Sequence, residues 1–580
     1  MSRRCANDAA SSLLRQSPIR RSCGRTIARC VAASTPCQQR PARLACHYST
    51  EPRKEHVAVV GGGLTGLTAA YYLAKELPST TQITLYEGSG RLGGWIWTDN
   101  VPVSVGGVTG NVAFERGPRS FTSLSRDTRR YDDLVLYNLI LDLGLKLYSP
   151  PDRPRFIYYP DHLVRVPPMN LFDVFTEPLL RSAIWPAFKG MAAYYRQKES
   201  YASKVPKHDM SIADWLAALT GSRTIGDNLI SAMVHGIHGG DITKLSARSA
   251  LDGLYWRVHS GSGGPDAYVM EKHEHDLMQK LGSDPMVRAL ALEKRGSMMH
   301  FGTAGMNALP NALEAALREA PNVTIKLNSP VRNIAPGNHD GTINILSTEK
   351  APTAYNRVIS TMLAEPLSKI TNNTLPSLAK TSTVSIMTVN VWFPLENIKP
   401  AGLGYLIPRG VPEEQNPERA LGVFFDSDVG AGAADEPKGT KLFVLMGGHY
   451  YDGVTPPTEE EALEQAKAVL ERHLGIPRDT PRFAMARLAR DCIPQHVVGH
   501  RERMNAAHQE LETAFDGRLA VAGGSYTRPG ALSGIRAGYD AAMNVIDGKR
   551  TTGLEGFDHV PNEIAVSQEY VRVRNFHRRP

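Results

Sequence analysis

The sequence is short of cysteine where cysteine would matter. Six are present, and five of them (Cys5, Cys23, Cys30, Cys37 and Cys46) fall within the first 50 residues. Cys492 alone remains in the body, which can therefore form no internal disulfide and no thiolate metal cluster. No run of 18 apolar residues occurs, so no membrane-spanning helix is expected. H-E-x-x-H, the phosphate-binding P-loop and G-x-S-x-G are also missing. His235 and His238 stand three apart and His273 and His275 two apart, but no matching acidic cluster accompanies them. Ordinary polar roles are expected for these histidines, and no metal.

Net charge is lacking too, once it is located. The formal charge is +8, which at first suggests nucleic acid. Residues 1–50 hold nine Arg, no Lys, one Asp and no Glu, so of the 66 basic and 58 acidic side chains the other 530 residues carry 57 of each. A neutral body has no electrostatic footprint for nucleic acid. The leader itself is rich in Arg and Ser and has no apolar core of 7–15 residues. That composition excludes a secretory signal and predicts a mitochondrial presequence, with cleavage near Tyr48–Thr50. A disordered basic tail is the alternative.

What is present is a chain of 580 residues with an ordinary apolar share of 42%, long enough for two or three lobes. His56–Val60 reads as a strand, Leu67–Leu77 as a helix and Gln82–Tyr86 as a second strand. Strands are also predicted at Val323–Leu327, Ile343–Leu346, Val384–Phe393 and Arg518–Ala522. Residues 408–440 read as loop, and Ser533–Ile546 as a final helix. Between 171 and 200, Leu171, Phe172, Phe175, Leu179, Trp185, Phe188, Met191 and Tyr195 recur at roughly helical spacing. Pro178 and Pro186 are expected to break that stretch into short helices. Its basic polar face suits an anionic membrane surface, and cover for an internal core is an equal alternative.

Between the first strand and helix lies Gly61-Gly62-Gly63-Leu64-Thr65-Gly66. Gly61 permits a tight turn, Gly63 lets backbone approach a pyrophosphate, and Gly66 lets helix and strand pack closely. The phosphates would sit at a helix N-terminus, where free N–H groups and the dipole favour them. Glu87, 21 residues after Gly66, ends the second strand and can bind ribose hydroxyls. It leads into Gly88-Ser89-Gly90-Arg91-Leu92-Gly93-Gly94-Trp95, a second glycine turn whose Arg91 can meet a phosphate. This turn resembles the GG motif of FAD-dependent amine oxidases and desaturases. At the far end, Leu519-Ala520-Val521-Ala522-Gly523-Gly524 is followed by Pro529, Gly530, Ala531 and the last helix. Two cofactor segments at opposite ends of the chain fit a flavoprotein better than a simple nicotinamide dehydrogenase.

Further segments resemble the protoporphyrinogen oxidase family. They are Glu115-Arg116-Gly117-Pro118-Arg119-Ser120, His235–Asp241 with Lys244-Leu245-Ser246 and Arg248, Phe301 with Gly305, Met306, Leu309 and Pro310, Gly402–Pro408, and Ile493-Pro494-Gln495 with Gly499-His500. In order, they span about 56 to 548. The chain departs from the family at Thr527–Gly534 and at Leu403, where an aromatic residue is common. The resemblance implies an α/β (α+β overall) fold. A Rossmann-like FAD-binding domain would comprise 51–149, 249–332 and 515–550. It would carry a helical membrane-binding domain at 150–248 and an antiparallel-sheet substrate domain at 333–514, between a transit peptide at 1–50 and a tail at 551–580.

The resemblance also implies an activity: six-electron oxidation of protoporphyrinogen IX to protoporphyrin IX by one non-covalent FAD, with O2 as acceptor and H2O2 released. It places Gly117, Pro118, Arg119, Ser120 and Val331 beside the cofactor. The last helix would aim at the flavin, where its dipole favours charge on a reduced ring. Arg155 would bind a propionate, Gly404 would let a ring pass, and Leu406 and Leu445 would sandwich the tetrapyrrole. No side chain is expected as a general base. Implied partners are the peripheral inner mitochondrial membrane, ferrochelatase and a second copy of the chain. The alternatives are another flavin amine oxidase or desaturase, or a non-catalytic binder of prenylated GTPases with the same fold.

Overall fold

The computed structural model describes residues 55–122, 131–203, 206–259, 268–271, 277, 279–293, 296, 298–337, 341–429, 432, 435–558, 563–567 and 572–575. The leader with its cysteines, His273 and His275 lie outside them.

Twelve β-strands and seven helices position the site. The chain runs β1 (His56–Val60), α1 (Leu64–Glu76), β2 (Gln82–Tyr86), β3 (Arg155–Tyr158) and β4 (Leu163–Val166). Next come α2 (Leu171–Thr176), α3 (Pro178–Ser203), α4 (Ser231–His238), β5 (Val323–Lys326), β6 (Arg357–Ser360), β7 (Ser382–Phe393), β8 (Gly404–Leu406), β9 (Ala420–Phe424) and β10 (Thr440–Gly447). The series ends with α5 (Glu459–Leu474), β11 (Phe483–Gln495), α6 (His500–Phe515), β12 (Leu519–Val521) and α7 (Ala531–Ile546).

One sheet has the order β5-β2-β1-β6-β12, and every pair in it is parallel. Both faces are covered, as an all-parallel sheet requires. Val57 and Val59 of β1 pack toward α1 and α7, and Ala58 and Val60 toward Met504 and Leu511 of α6. The second sheet has the order β11-β7-β10-β9-β8-β3-β4 and is antiparallel except at β8–β3. Ala462, Ala466, Val469 and Leu470 of α5 cover one of its faces against Tyr405, Val423, Val444 and Val389.

The fold is mixed α/β, as the motifs implied, but three local readings change. First, Pro178 begins α3, where its missing N–H would be unpaired anyway, yet Pro186 sits inside that 26-residue helix without ending it. Ser182, whose carbonyl loses its partner, is exposed, so water can bond it. Second, β9 runs through the stretch read as loop. It is buried at four of five positions in the middle of the sheet, and a strand covered on both faces shows no alternation. Third, Glu563–Ser567 and Arg572–Asn575 pair with each other, and the former pairs with Tyr268–Glu271. A partner some 300 residues away in sequence leaves no local trace.

Around α2 and α3 most large apolar side chains face outward, Leu179 being buried instead. Leu171 is 78% exposed, Phe172 73%, Trp185 68% and Tyr195 67%, with Met169, Phe175, Phe188 and Met191 also open. These residues therefore do not cover an internal core. No helix among the described residues is long and apolar enough to cross a membrane.

α7 lies on α1 with little between them. A Cβ added at Gly538 would stand 2.2 Å from the Thr65 carbonyl oxygen. Replacing Gly538 with Ala should force the two helices apart and cost about 1–3 kcal/mol, read as a lowered urea midpoint at unchanged slope.

Candidate functional site

In a parallel sheet, ligands gather at the carboxyl ends of the strands. Here Gly61 follows β1, Glu87 follows β2, Val331 lies beyond β5, Thr361 follows β6 and Gly523-Gly524 lies beyond β12. The structure thus brings both chain ends to one edge. Gly61 has φ +108°, and Thr361 Oγ1 donates to Val60 O at 3.0 Å, closing the turn. Glu87 takes Gly62 N–H on Oε2 at 2.7 Å and Ser89 N–H on Oε1 at 2.8 Å. Each oxygen keeps a further lone-pair direction for a hydroxyl. Ser329 N–H donates to Glu87 O, which sets the segment leading to buried Val331 beside Gly88 and Ser89.

α1 begins after Gly63 with no side-chain cap and no acid in its first turn. Its leading N–H groups therefore face the loop, and Leu64, Thr65 and Gly66 supply them. Gly93 N–H donates to Gly62 O, and a Cβ on Gly94 would meet Gly63 Cα at 3.0 Å. A side chain there would fill the cradle. α7 starts the same way: Gly530 has φ +121° and, with Ala531 following, offers neither side-chain cap nor acid. Two uncapped helix N-termini and a bare-backbone cradle fit an anionic, phosphate-bearing group.

Arg91 is placed differently from the expectation. Its Nη1 donates to Leu92 O and Ile96 O, each at 3.1 Å, and its Nη2 to Gly94 O. It braces the glycine loop from within. Next in the loop, Trp95 is 38% exposed, and Gly117 packs so tightly on it that an added Cβ would lie 1.9 Å from Trp95 O. That contact fixes the half-buried Pro118 and Ser120 in the turn. Arg119 then reaches under the second sheet. Its Nε donates to Asp426 Oδ1 at 2.8 Å, and its guanidinium lies 3.4 Å from the centroid of the Phe443 ring. Burial raises the Asp426 carboxyl pKa against the opposing pull of Arg119 and Lys441. Asp426 escaped the sequence reading because it sits in the stretch taken for loop. At the other end, His496 Nε2 lies 2.8 Å from Gly524 O, and Pro529 packs on Gly524.

The residues expected to meet a substrate fall on one face of the second sheet. Register aligns Ile157, Leu406, Gly422 and Leu445 in one row. Arg155 and Gly404 point to the same face two residues earlier. Arg155 is exposed, and Leu406 and Leu445 are half-buried. Leu406 is wedged between α4 and β9: a Cβ on Gly236 would lie 2.7 Å from its Cδ2, and one on Gly422 2.8 Å. At Gly404 the space for a Cβ is taken by Val423 O at 2.2 Å, and φ is +124°. Glycine there is set by strand packing rather than by an open slot.

His235 and His238 do not face a common point. His235 Nδ1 lies 2.6 Å from Ile407 O and its Nε2 3.0 Å from His449 Nε2, and burial lowers its pKa to about 4. The carbonyl of His238 accepts from Gln495 Nε2 at 2.9 Å, which ties the Ile-Pro-Gln strand end to α4. Cys492 is half-buried, and desolvation pushes its thiol up to about 11.

The sequence pattern of a family described as Flavin containing amine oxidoreductase matches residues 64–546. The protoporphyrinogen oxidase of Schizosaccharomyces pombe is 29% identical over 84% of this chain and 96% of its own length. The coproporphyrinogen III oxidase of Bacillus subtilis is 24% identical over 85% of this chain and 98% of its own. Among solved structures, the cyclohexylamine oxidase of Brevibacterium oxydans superposes with a TM-score of 0.57 at 15% identity, over 85% of this chain and 99% of that one.

Removing Asp426 would strand a buried guanidinium. The Asp426→Ala variant should lose about 3–5 kcal/mol of stability by urea unfolding. Asp426→Asn, which keeps an acceptor for Arg119 Nε, should lose less.

Proposed function

We propose, from the premise that the chain belongs to the flavin containing amine oxidoreductase family, that it oxidises protoporphyrinogen IX to protoporphyrin IX with O2 as acceptor and H2O2 as by-product. The observation that carries this reading is the relation to protoporphyrinogen oxidases along 84% of the chain. The cofactor is FAD, held without a covalent bond. A Cys492 thiol that stays protonated and lies 3.6 Å from Val384 O is a poor candidate for a flavin linkage.

Bound FAD would accept hydride from the macrocycle; the protein supplies position and field. Gly61–Gly66 and the start of α1 would hold the diphosphate, and Glu87 the ribose. Gly88, Gly94, Trp95, Gly117–Ser120, Val331, Gly524 and Pro529 would surround the rest of the cofactor. Gly530 and Ala531 present the positive end of α7, which favours negative charge on the ring. Across the cleft, the row of Leu406, Gly422 and Leu445 gives a planar substrate an apolar wall. Arg155, on the same face and exposed, would pair with a propionate, for which a guanidinium is an apt partner. The ring systems supply the reacting atoms, so no side chain is assigned as base.

The wider setting follows from the same reading. Residues 1–50 direct the chain to the mitochondrion. The domains divide as FAD-binding (51–149, 249–332, 515–550), helical (150–248) and substrate-binding (333–514), with a tail at 551–580. The open apolar face of α2 and α3 rests peripherally on the inner membrane. A second copy of the chain and ferrochelatase are the protein partners that this reading names.

Mixing the purified, leaderless protein with protoporphyrinogen IX without air should bleach its flavin, and admitting air should raise porphyrin fluorescence above the enzyme-free control. Bleaching by an amine but not by this substrate would point to an amine oxidase. Bleaching by coproporphyrinogen alone would change the substrate, and a colourless protein would remove the catalytic reading. In the same assay Arg155→Ala should raise KM roughly ten- to a hundredfold, the loss of one charge-assisted contact, with flavin content unchanged. For the membrane, Phe172→Glu together with Trp185→Glu should abolish flotation with anionic vesicles while leaving turnover in detergent intact.

A further inference from the structure

Three guanidinium groups converge on one indole. Around the Trp97 ring, Arg91 lies 4.8 Å from the centroid, Arg116 4.7 Å and Arg487 5.0 Å. Arg487 also covers Trp95 at 5.5 Å. The three come from separate places: the glycine loop, the turn at Gly117, and β11 of the second sheet. Arg487 is on the same sheet row as Leu406 and Leu445, since Leu445 registers with Thr388 and Thr388 with Arg487.

The positive charge here is only partly offset, Glu459 attracting Arg487. Asp99 takes Arg116 Nη1 at 3.2 Å, and Glu87 attracts Arg91 from a distance. Arg91 is already committed to backbone carbonyls. Arg116 Nε and Arg487 Nη1 are both buried and have no hydrogen-bond partner. Burial and the two neighbouring guanidiniums push the pKa of Arg487 down from its ordinary value. Stacking on tryptophan offsets part of this cost, but an indole face cannot bond an in-plane N–H. Like charges held together with orphaned donors call for an anion with several acceptor oxygens.

We infer that Arg487, with Arg116, forms an anion subsite that takes the diphosphate of the dinucleotide cofactor from the side opposite α1. Position favours that anion over a substrate carboxylate. Trp95, which Arg487 covers, directly follows Gly94, and Gly94 packs on the Gly63 cap of α1 where the diphosphate would lie. A planar guanidinium matches phosphate oxygens in pairs, which an ammonium cannot. The consequence is that the substrate sheet itself would hold the cofactor, so that the two sheets share one ligand. This inference rests on the flavin reading given above.

The test separates the two. The full chain, stripped of flavin, is titrated with FAD and with riboflavin, which lacks the diphosphate, by quenching of flavin fluorescence. In Arg487→Met the Kd for FAD should rise at least tenfold while the Kd for riboflavin stays within twofold, and Arg487→Lys should fall between Met and wild type. Equal weakening toward both flavins in Met and Lys would mean lost packing and would overturn the subsite. An unchanged FAD Kd with a raised KM for the porphyrinogen would assign the anion to a substrate carboxylate and overturn it too. If Arg487→Met does not fold, the Lys variant decides alone: FAD weakened more than riboflavin supports the subsite, and an unchanged FAD Kd removes it. Wild-type protein that binds neither flavin would instead sink the flavin reading itself.

Discussion

The contact on which the site depends is that of α7 against the first turn of α1. Thr65 touches the chain's other end through Gly534 and Gly538, and Gly523 lies 3.7 Å from its Oγ1 by the same measure of an added Cβ. Nothing larger than hydrogen fits at Gly538. Because the two helices approach so closely, their N-termini open onto the same edge of the parallel sheet. Each lacks a capping side chain and an acid in its first turn. In most helices a Ser, Asp or Thr would satisfy those N–H groups. Leaving them bare lowers stability, and it makes sense where an anion or a charged ring is to complete the end.

The second sheet is tied to this edge by pairs that are expensive to bury. Arg119 and Asp426 are each close to nine-tenths inaccessible, and burying both charges offsets much of their attraction. What such a pair adds is direction. The turn at Gly117 can sit on Trp95 in only one way if Arg119 must reach Asp426, and Arg487, on the row of Leu406 and Leu445, lies over the same Trp95. Lys441 with Glu436 repeats the arrangement: Glu436 also accepts from Ala113 N–H at 3.1 Å, in the strand that ends at Glu115. Apolar contacts of equal area would hold the lobes together but would not fix their register so sharply.

How much of this could be read from the chain depends on how local each feature is. The turn after His56–Val60 was legible, because three glycines and an acid at fixed spacing leave one arrangement. Strands Ile343–Leu346 and Ser382–Phe393 and the last helix were legible from periodicity, with ends shifted by two residues or so. β9 was not, because a short strand buried on both faces carries no alternation. Asp426 was not, since its role exists only through Arg119, more than 300 residues earlier. The place of Arg91 in the second glycine turn points to a phosphate, and only the fold shows its N–H groups turned back on the loop's own carbonyls. The outward aspect of α2 and α3 was undecidable from spacing, because an apolar stripe looks the same whether protein or lipid will cover it.

The helical segment and the two sheets differ in kind. Leu406 is held on one side by Gly236 of α4 and on the other by Gly422 of β9, so α4 packs directly on the row that carries Leu406 and Leu445. His235, one residue before Gly236, is bonded to Ile407 O and faces His449 beyond β10. Any shift of α4 would therefore disturb Leu406 and the contact of buried His235 with His449 at once. The same residue run, 150–248, carries the open apolar face of α2 and α3. That run is tied to the second sheet through Leu179, Ala232 and Ile157, which share one apolar cluster with Leu406. Eight large apolar side chains left open to water form a patch of the kind that marks an interaction surface.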